Sequence, residues 1–489
     1  MKKVLPKVLK YLLLALLLYM PVFGFLNVQP LRMWDESRIA VNAHEMYTRG
    51  EYIVTYFEGH SDMWNTKPPL LVWCQVILMK LIGPDELAVR LPSAIAAFLT
   101  CALLLFVCTR YLKNFWFGFT AVMVLITCQG YVTMHGTRTG DYDALMTFFT
   151  TSGCLFFFAF SETLKTKYLY WFFVALTLGA LTKGVAGLLF TPALAIFCML
   201  QKQLLIILKN KHFYFGLLSF LVIVIGFYLV RDARDPGYIH AIRENELGGR
   251  FLQAQGENKS SFWFYYNNFI DFRLADRYLL VPCGLLLGLL SKDRAIRRLT
   301  SFCFLMCLVF FVLISSAQTR MIWYETPMYP FLAIIITVCI HYVFQLFKDL
   351  DAVNSRTTVS VLPFLFLFLI LIVPYKKIFM DAYRPTESFY DHGLYDIGYY
   401  LKEATEKRRD VNGKYLVYQG YAAQNIFYLR VLQERGVKTG RLGLNDIRPG
   451  LEFIACQDTV KNYIRENFIY SEKQEKNDVF TYKVISLCK

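Results

Sequence analysis

Leu70-Leu71-Val72-Trp73-Cys74-Gln75-Val76-Ile77-Leu78-Met79-Lys80-Leu81-Ile82 is the stretch on which the topology turns. It is apolar enough to enter a bilayer, yet short of the roughly 20 residues a helix needs to cross about 30 Å of hydrocarbon. The loops around it decide its place. If it does not cross and the lysine-rich start (Lys2, Lys3, Lys7, Lys10) is inside, the inside loops are 110–114, 165–167, 202–211, 292–298 and 348–356. All are basic or mixed, as the positive-inside rule requires. If it crosses, every later loop changes side and those lysines and arginines face outward. The expectation is a short helix that lies near the outer surface or dips in without crossing.

Eleven longer apolar runs surround it, at about 8–28, 90–109, 116–133, 143–160, 168–182, 185–201, 213–230, 278–291, 299–317, 327–346 and 358–375. In lipid the backbone must satisfy its own hydrogen bonds, so these runs are expected as helices. The first resembles a signal peptide, but no small-x-small cleavage site precedes Asn27, and an uncleaved span is expected. Of the 489 residues 56% are hydrophobic and 18% charged, against about 25% charged in soluble domains. A soluble globular enzyme is excluded. The net charge of +15 lies in short inter-span loops, which argues for membrane orientation and against nucleic acid.

The expected class is therefore a polytopic α-helical membrane protein, with residues 1–378 as membrane domain and 379–489 as a small α/β domain. Strands are read at 415–418 and 480–485, helices at 424–435 and 458–467. Most of the twelve cysteines lie in apolar runs and act as small hydrophobes. Cys456 and Cys488 lie in the polar tail, where a disulfide and two free thiols are both open.

With eleven crossings the chemically rich loops all face outward, in particular the first outer loop, 31–89, and a large one, 231–277. The first holds Trp34-Asp35-Glu36-Ser37-Arg38. There Asp35 suits a helix cap and also a general base at the membrane surface. Asn65-Thr66-Lys67-Pro68-Pro69 holds a lysine rigidly ahead of a helix, suited to an anion such as phosphate or to snorkelling. His135-Gly136-Thr137-Arg138-Thr139-Gly140-Asp141-Tyr142-Asp143 puts Asp143 at the start of a span, where an ionisable group suggests function. Asp141, Asp143 and His135 also have donors suited to a divalent cation. Lys183 sits between two spans with almost no loop, Arg250 lies in the large loop, and Arg320 and Tyr324 precede the span at 327. Cations of this kind suit a lipid-linked phosphate, and a carboxylate suits deprotonation of an acceptor hydroxyl.

At these residues the chain resembles the lipid-linked-sugar glycosyltransferases of the GT-C class, in particular the aminoarabinose transferase and protein O-mannosyltransferase-like group. The family's Asp-Glu-x-Arg segment matches Asp35-Glu36-Ser37-Arg38, followed by its next helix at 44–52. Its Lys-Pro-Pro matches Lys67-Pro68-Pro69, and further stretches match 83–94 (including Arg90), 138–145, Thr182-Lys183-Gly184 and 324–330. The ordered set covers about 1–375. The resemblance implies a GT-C fold and transfer of a sugar from a polyprenyl-phosphate donor to a lipid or protein acceptor, with inversion, at the outer (periplasmic) face of the inner membrane. It implies Asp35 as base, Asp143 orienting sugar or acceptor, and Lys67 with Arg250, Arg320 and Tyr324 on the phosphate. Glu36, Arg38, Arg90, Asp141 and Lys183 complete the expected site. Two departures stand out. Thr66 replaces a metal-linked glutamate, and Glu246 is followed by Leu247 where those transferases have histidine. A zinc site at those positions is not expected. A transporter or flippase of a lipid-linked substrate is the alternative, though its charges belong within the spans.

Overall fold

The computed structural model describes residues 5–133, 135–252, 261–274, 276–354, 361–385 and 392–488. Each expected apolar run falls on a helix. Among the described residues seven helices are long and apolar enough to cross a membrane: Glu86–Tyr111, Tyr142–Thr163, Thr166–Leu188, Lys211–Arg234, Arg294–Ser316, Ile322–Leu350 and Leu362–Tyr383. Shorter apolar helices run over Val8–Phe23, Phe115–Ile126, Thr191–Leu200 and Leu280–Leu289. Leu70–Ile82 is a separate helix of 13 residues. The protein is a multi-pass membrane protein, and its apolar surface fits that: helix Lys211–Arg234 has only 17% of its most apolar window buried.

Two expected spans are broken. The run 116–133 stops at Ile126, turns, and resumes as Gln129–Val132. The Arg277 guanidinium closes that break, donating to the Thr127 hydroxyl at 2.6 Å and the Thr127 carbonyl at 2.8 Å, where a helix end otherwise leaves buried carbonyls unpaired. The run 185–201 opens as a 3-10 turn, Gly184–Leu188, before Thr191–Leu200 starts with proline at its N-terminus. Glycines let helices approach closely: a Cβ on Gly284 would lie 2.0 Å from the Ile335 carbonyl oxygen.

The chain divides into two compact units. One comprises Met1–Phe25, Asp62–Cys74 and Arg90–Tyr383; the other comprises Leu26–Ser61, Gln75–Val89 and Arg384–Lys489. The sheet-bearing tail thus groups with parts of the first outer loop.

The second unit is built on a five-stranded sheet. A hairpin precedes it, β1 (Tyr56–Phe57) and β2 (His60–Ser61). The sheet strands are β3 (Tyr415–Val417), β4 (Arg441–Leu442), β5 (Glu452–Ala455), β6 (Phe468–Lys476) and β7 (Val479–Leu487), in the order β4-β3-β5-β7-β6. β3 is parallel to both β4 and β5, and β7 is antiparallel to β5 and β6. Val417, Phe453, Ala455, Val460, Ile464 and Tyr482 form its core. Helices Ala423–Glu434 and Asp458–Asn467 lie where the sequence puts them.

Helix Asp35–Arg49 packs in this unit against Ala423–Glu434, with His44 Nε2 2.9 Å from Glu434 Oε2. Burial, the largest cause, and the Arg430 charge pull the His44 pKa below its ordinary value, although Glu434 and Glu45 push the other way. Buried Glu86 accepts from Lys402 Nζ at 2.8 Å and from the Tyr428 hydroxyl at 2.7 Å, and Tyr428 in turn accepts from the Leu31 amide at 2.9 Å.

Candidate active site

In the first unit the Lys67 loop is shaped by Asp62, whose Oδ1 accepts from the Trp64 and Asn65 amides at 3.0 and 3.1 Å. This is local side-chain-to-backbone bonding of the kind that favours turns. Asn65 then donates to the Tyr142 hydroxyl at 2.9 Å. From the large loop Tyr238 donates to the Thr66 carbonyl at 2.9 Å, and Asn245 to the Met63 carbonyl at 3.0 Å. Glu246 Oε1 accepts from the Thr66 hydroxyl at 3.3 Å and lies 3.7 Å from Lys67 Nζ. Lys67 Nζ also sits 5.5 Å over the Tyr142 ring. Arg231 supports this clasp from below: it pairs with Asp235 at 2.6 Å and lies 4.5 Å over the Tyr238 ring.

Asp143 and Lys183 form a buried ion pair. Lys183 Nζ donates to Asp143 Oδ1 at 2.6 Å, with side chains 8% and 4% exposed. The same ammonium lies 5.4 Å over the Tyr324 ring. The two charges sit at adjacent helix ends, because the helix beginning at Tyr142 packs along the helix ending at Lys183.

Asp141 occupies the cap position of helix Tyr142–Thr163, but its side chain makes no cap bond. Instead Oδ2 accepts from the Thr139 hydroxyl at 2.5 Å and lies 3.4 Å from His135 Nδ1. His135 has φ +61°, a backbone state uncommon outside glycine. Its ring stacks on Trp323 at 3.8 Å between centroids and 15° between planes. Of the three donors expected for a divalent cation, the structure brings the His135 imidazole and the Asp141 carboxylate together, and Asp143 pairs with Lys183.

Arg320 donates from Nε and Nη2 to the Ser315 carbonyl at 3.0 and 2.8 Å, capping helix Arg294–Ser316. Arg90 is buried. The Arg138 guanidinium is held at about 10, through burial first and then the Arg90 charge, with Asp381 opposing. Arg138 donates to the Pro21 and Gly24 carbonyls at 3.1 and 2.7 Å. The Arg250 side chain lies outside the described residues.

Asp35, Glu36 and Arg38 belong to the second unit. Asp35 is exposed and is the first residue of its helix; the capping position falls on Trp34, which makes no side-chain cap bond. The expected cap at Asp35 is therefore corrected by one residue. Glu36 is buried, and Oε2 accepts from the Arg32 amide at 2.7 Å. Arg38 lies 4.2 Å over the Phe57 ring.

The sequence reading overlooked Glu325. It is 1% exposed, and both its carboxylate oxygens accept from Asn268 Nδ2 at 3.0 Å. The Tyr329 hydroxyl donates to Oε1 at 2.6 Å, and Arg273 Nε lies 3.5 Å away. Gly130 makes room for Tyr329, since a Cβ there would lie 1.9 Å from the Tyr329 hydroxyl oxygen. A carboxylate at the start of an apolar run was the available signal. The cluster fixes the turn Ile322–Met328 that carries Trp323 and Tyr324.

Architecture and sequence agree on the class. The fold is that of the GT-C glycosyltransferases: the chain superposes on the crystal structure of ArnT from Cupriavidus metallidurans bound to undecaprenyl phosphate with a TM-score of 0.65, covering 97% of both chains at 14% identity. Residues 66–229 match the family described as dolichyl-phosphate-mannose-protein mannosyltransferase. In sequence the chain is similar to aminoarabinose transferases. It is 27% identical over 341 residues to the undecaprenyl phosphate-alpha-4-amino-4-deoxy-L-arabinose arabinosyl transferase of Aeromonas salmonicida, covering 66% of this chain and 58% of that one. It is also 27% identical over 333 residues to an uncharacterized protein of Aquifex aeolicus, covering 67% of this chain and 63% of that one. The chain thus matches less than two thirds of the length of these relatives.

Proposed function

We propose that the protein is an inverting glycosyltransferase that moves a sugar from a polyprenyl-phosphate donor to a hydroxyl of a lipid or protein acceptor. The observation that carries this reading is the clustering of Lys67 beside Tyr142, and of the Asp143–Lys183 pair under Tyr324, at adjacent helix ends of a GT-C fold. Lys67 sits 3.7 Å from Glu246, so an arriving phosphate displaces the Glu246 carboxylate from the ammonium or shares the ammonium with it. Asp35 takes the proton of the acceptor hydroxyl. The oxygen attacks the anomeric carbon, the bond from that carbon to the phosphate oxygen breaks with its electron pair, and lipid phosphate leaves. Asp143, held by Lys183, orients the sugar or acceptor, and Tyr324 packs over that pair.

The active side and the α/β unit face the outer side of the cytoplasmic membrane in this reading, supported by the basic loops on the opposite side. The test is transfer in proteoliposomes supplied with an undecaprenyl-phosphate sugar and an acceptor extract. Wild-type protein is expected to label the acceptor and release undecaprenyl phosphate. Release without any labelled acceptor, or no donor consumption at all, overturns the reading.

A further inference from the structure

We infer that Trp34, Tyr421 and Phe57 form a stacking platform for a saccharide ring of the acceptor, an inference that rests on the glycosyl-transfer reading above. The three rings lie in one compact unit and stack in series. Trp34 and Tyr421 have centroids 4.9 Å apart and planes 16° apart, and Tyr421 and Phe57 are 6.2 Å and 14° apart. The Arg38 guanidinium lies 4.2 Å over the Phe57 ring. Trp34 is 60% exposed. Such an array offers a flat π face whose negative quadrupole attracts the C–H face of a pyranose.

Three further features point the same way. First, Trp34 has φ +74° and ψ −116°, a genuine outlier for a bulky residue. Strain of this kind is held at binding and catalytic sites by the surrounding structure, and here it lays the indole flat on Tyr421. Second, Trp34 directly precedes Asp35, so a sugar on the indole brings its hydroxyls alongside a carboxylate. Third, Tyr421 lies just after the carboxyl end of β3, the strand flanked on both sides by parallel neighbours. In open α/β sheets ligands bind at the carboxyl ends of strands where the chain order reverses. The loop there is fixed: Gln457 Oε1 accepts from the Gln419 amide at 2.7 Å, and Gln457 Nε2 donates to the Gln419 carbonyl at 3.1 Å.

An interfacial lipid anchor is the competing occupant of an exposed tryptophan. It requires only a buried apolar ring and no parallel stack, so the geometry favours the sugar.

The experiment uses the full chain in detergent and in proteoliposomes, with Trp34→Gly, Trp34→Phe, Trp34→Leu and Tyr421→Ala. Glycine suits the positive φ, so Trp34→Gly is expected to fold. Saturation-transfer NMR with methyl β-D-glucopyranoside is expected to show contact at the ring C–H protons, retained in Trp34→Phe and lost in the other three variants. In transfer assays Trp34→Gly is expected to raise the acceptor KM about ten-fold, and Trp34→Phe to keep it near the wild-type value. Saturation transfer that persists in Trp34→Gly overturns the platform. Restoration of acceptor KM by Trp34→Leu assigns the residue to lipid and also overturns it. The NMR contact needs no chemistry, so it fails or holds independently of whether transfer itself is observed.

Discussion

In the proposed mechanism Asp35 carries the heaviest chemical demand, because an acceptor hydroxyl is a poor nucleophile until its proton is removed. General bases contribute typically about 10²–10⁴ in rate. Asp35→Asn is therefore expected to lower kcat by about that factor with the thermal midpoint unchanged; transfer at the wild-type rate in purified protein removes Asp35 from the role. Asp143 and Lys183 make a different demand. Both are buried, and removing one partner of a buried ion pair costs about 3–5 kcal/mol by leaving the other charge uncompensated. Lys183→Met is expected to lower the melting temperature in detergent sharply, and Asp143→Asn added to it is expected to recover most of the loss. Equal melting of the single and double variants argues against the pair. Lys67, Asp143 and Lys183 were legible because an ionisable residue beside apolar sequence stands out. Their partners were not. That Lys183 meets Asp143 and Tyr324, or that Glu246 reaches Thr66 and Lys67, depends on which helix ends the fold brings together. Glu325 was missed for a related reason: its environment is made by Asn268, Arg273 and Tyr329, with Asn268 lying 57 residues away in the chain.

At the scale of elements, hydropathy placed each apolar helix of ten or more residues among the described ones, though not the short helix Leu204–Leu208, and Leu70–Ile82 is a distinct helix as its length implied. The breaks were not visible. Phe115–Ile126 ends without proline or glycine; the Thr127 hydroxyl bonds back to the Met123 and Val124 carbonyls, and the distant Arg277 donates to the Thr127 carbonyl. In the α/β unit, alternation revealed β3 and β7, whereas β4 has two residues and β6 is mostly exposed, so neither had a buried pattern to read. Helix His392–Thr405 and the β6–β7 hairpin are joined by charge. Burial opposes ionisation of Glu403, but hydrogen bonds from Lys476 and Arg409 hold its pKa below the ordinary value. Burial likewise opposes ionisation of Glu475, and the Thr481 hydroxyl with Lys414 and Lys473 holds it low. A carboxylate depressed in the folded state stabilises above its unfolded pKa of about 4.3 and loses that contribution as pH falls through the folded value. Hydrogen exchange in the hairpin is therefore expected to be constant from pH 7 to about 5, after correction for intrinsic rates, and to accelerate below about 4. Glu403→Gln is expected to weaken that acid response. A wild-type response in Glu403→Gln shows that the charge cluster does not hold the hairpin.

For the whole molecule, the family resemblance and the motif order were legible because each motif combines prolines, glycines and charges in few residues. The grouping of Leu26–Ser61 and Gln75–Val89 with the tail was not, since it depends on long-range pairs such as Glu86 with Lys402 and His44 with Glu434. The proposed orientation in the membrane rests on charge. Among the described residues seven helices meet the length for crossing, and four of the five shorter apolar helices coincide with the remaining expected spans, the fifth being Leu70–Ile82. The proposed arrangement of eleven crossings has residues 110–114 and 292–298 on the inside with the N-terminus, and the α/β unit outside. If Leu70–Ile82 also crosses, both basic loops move outside, against a bias that sets topology in most such proteins. Single cysteines placed at Lys113, Lys292 and Lys438 in a background without reactive native thiols separate the two arrangements. A membrane-impermeant maleimide added to intact cells is expected to label the Lys438 position and to reach those at Lys113 and Lys292 only after the membrane is opened. Labelling of the Lys113 site in intact cells, with the N-terminus still protected, makes Leu70–Ile82 a twelfth span and reverses the side assigned to every later loop.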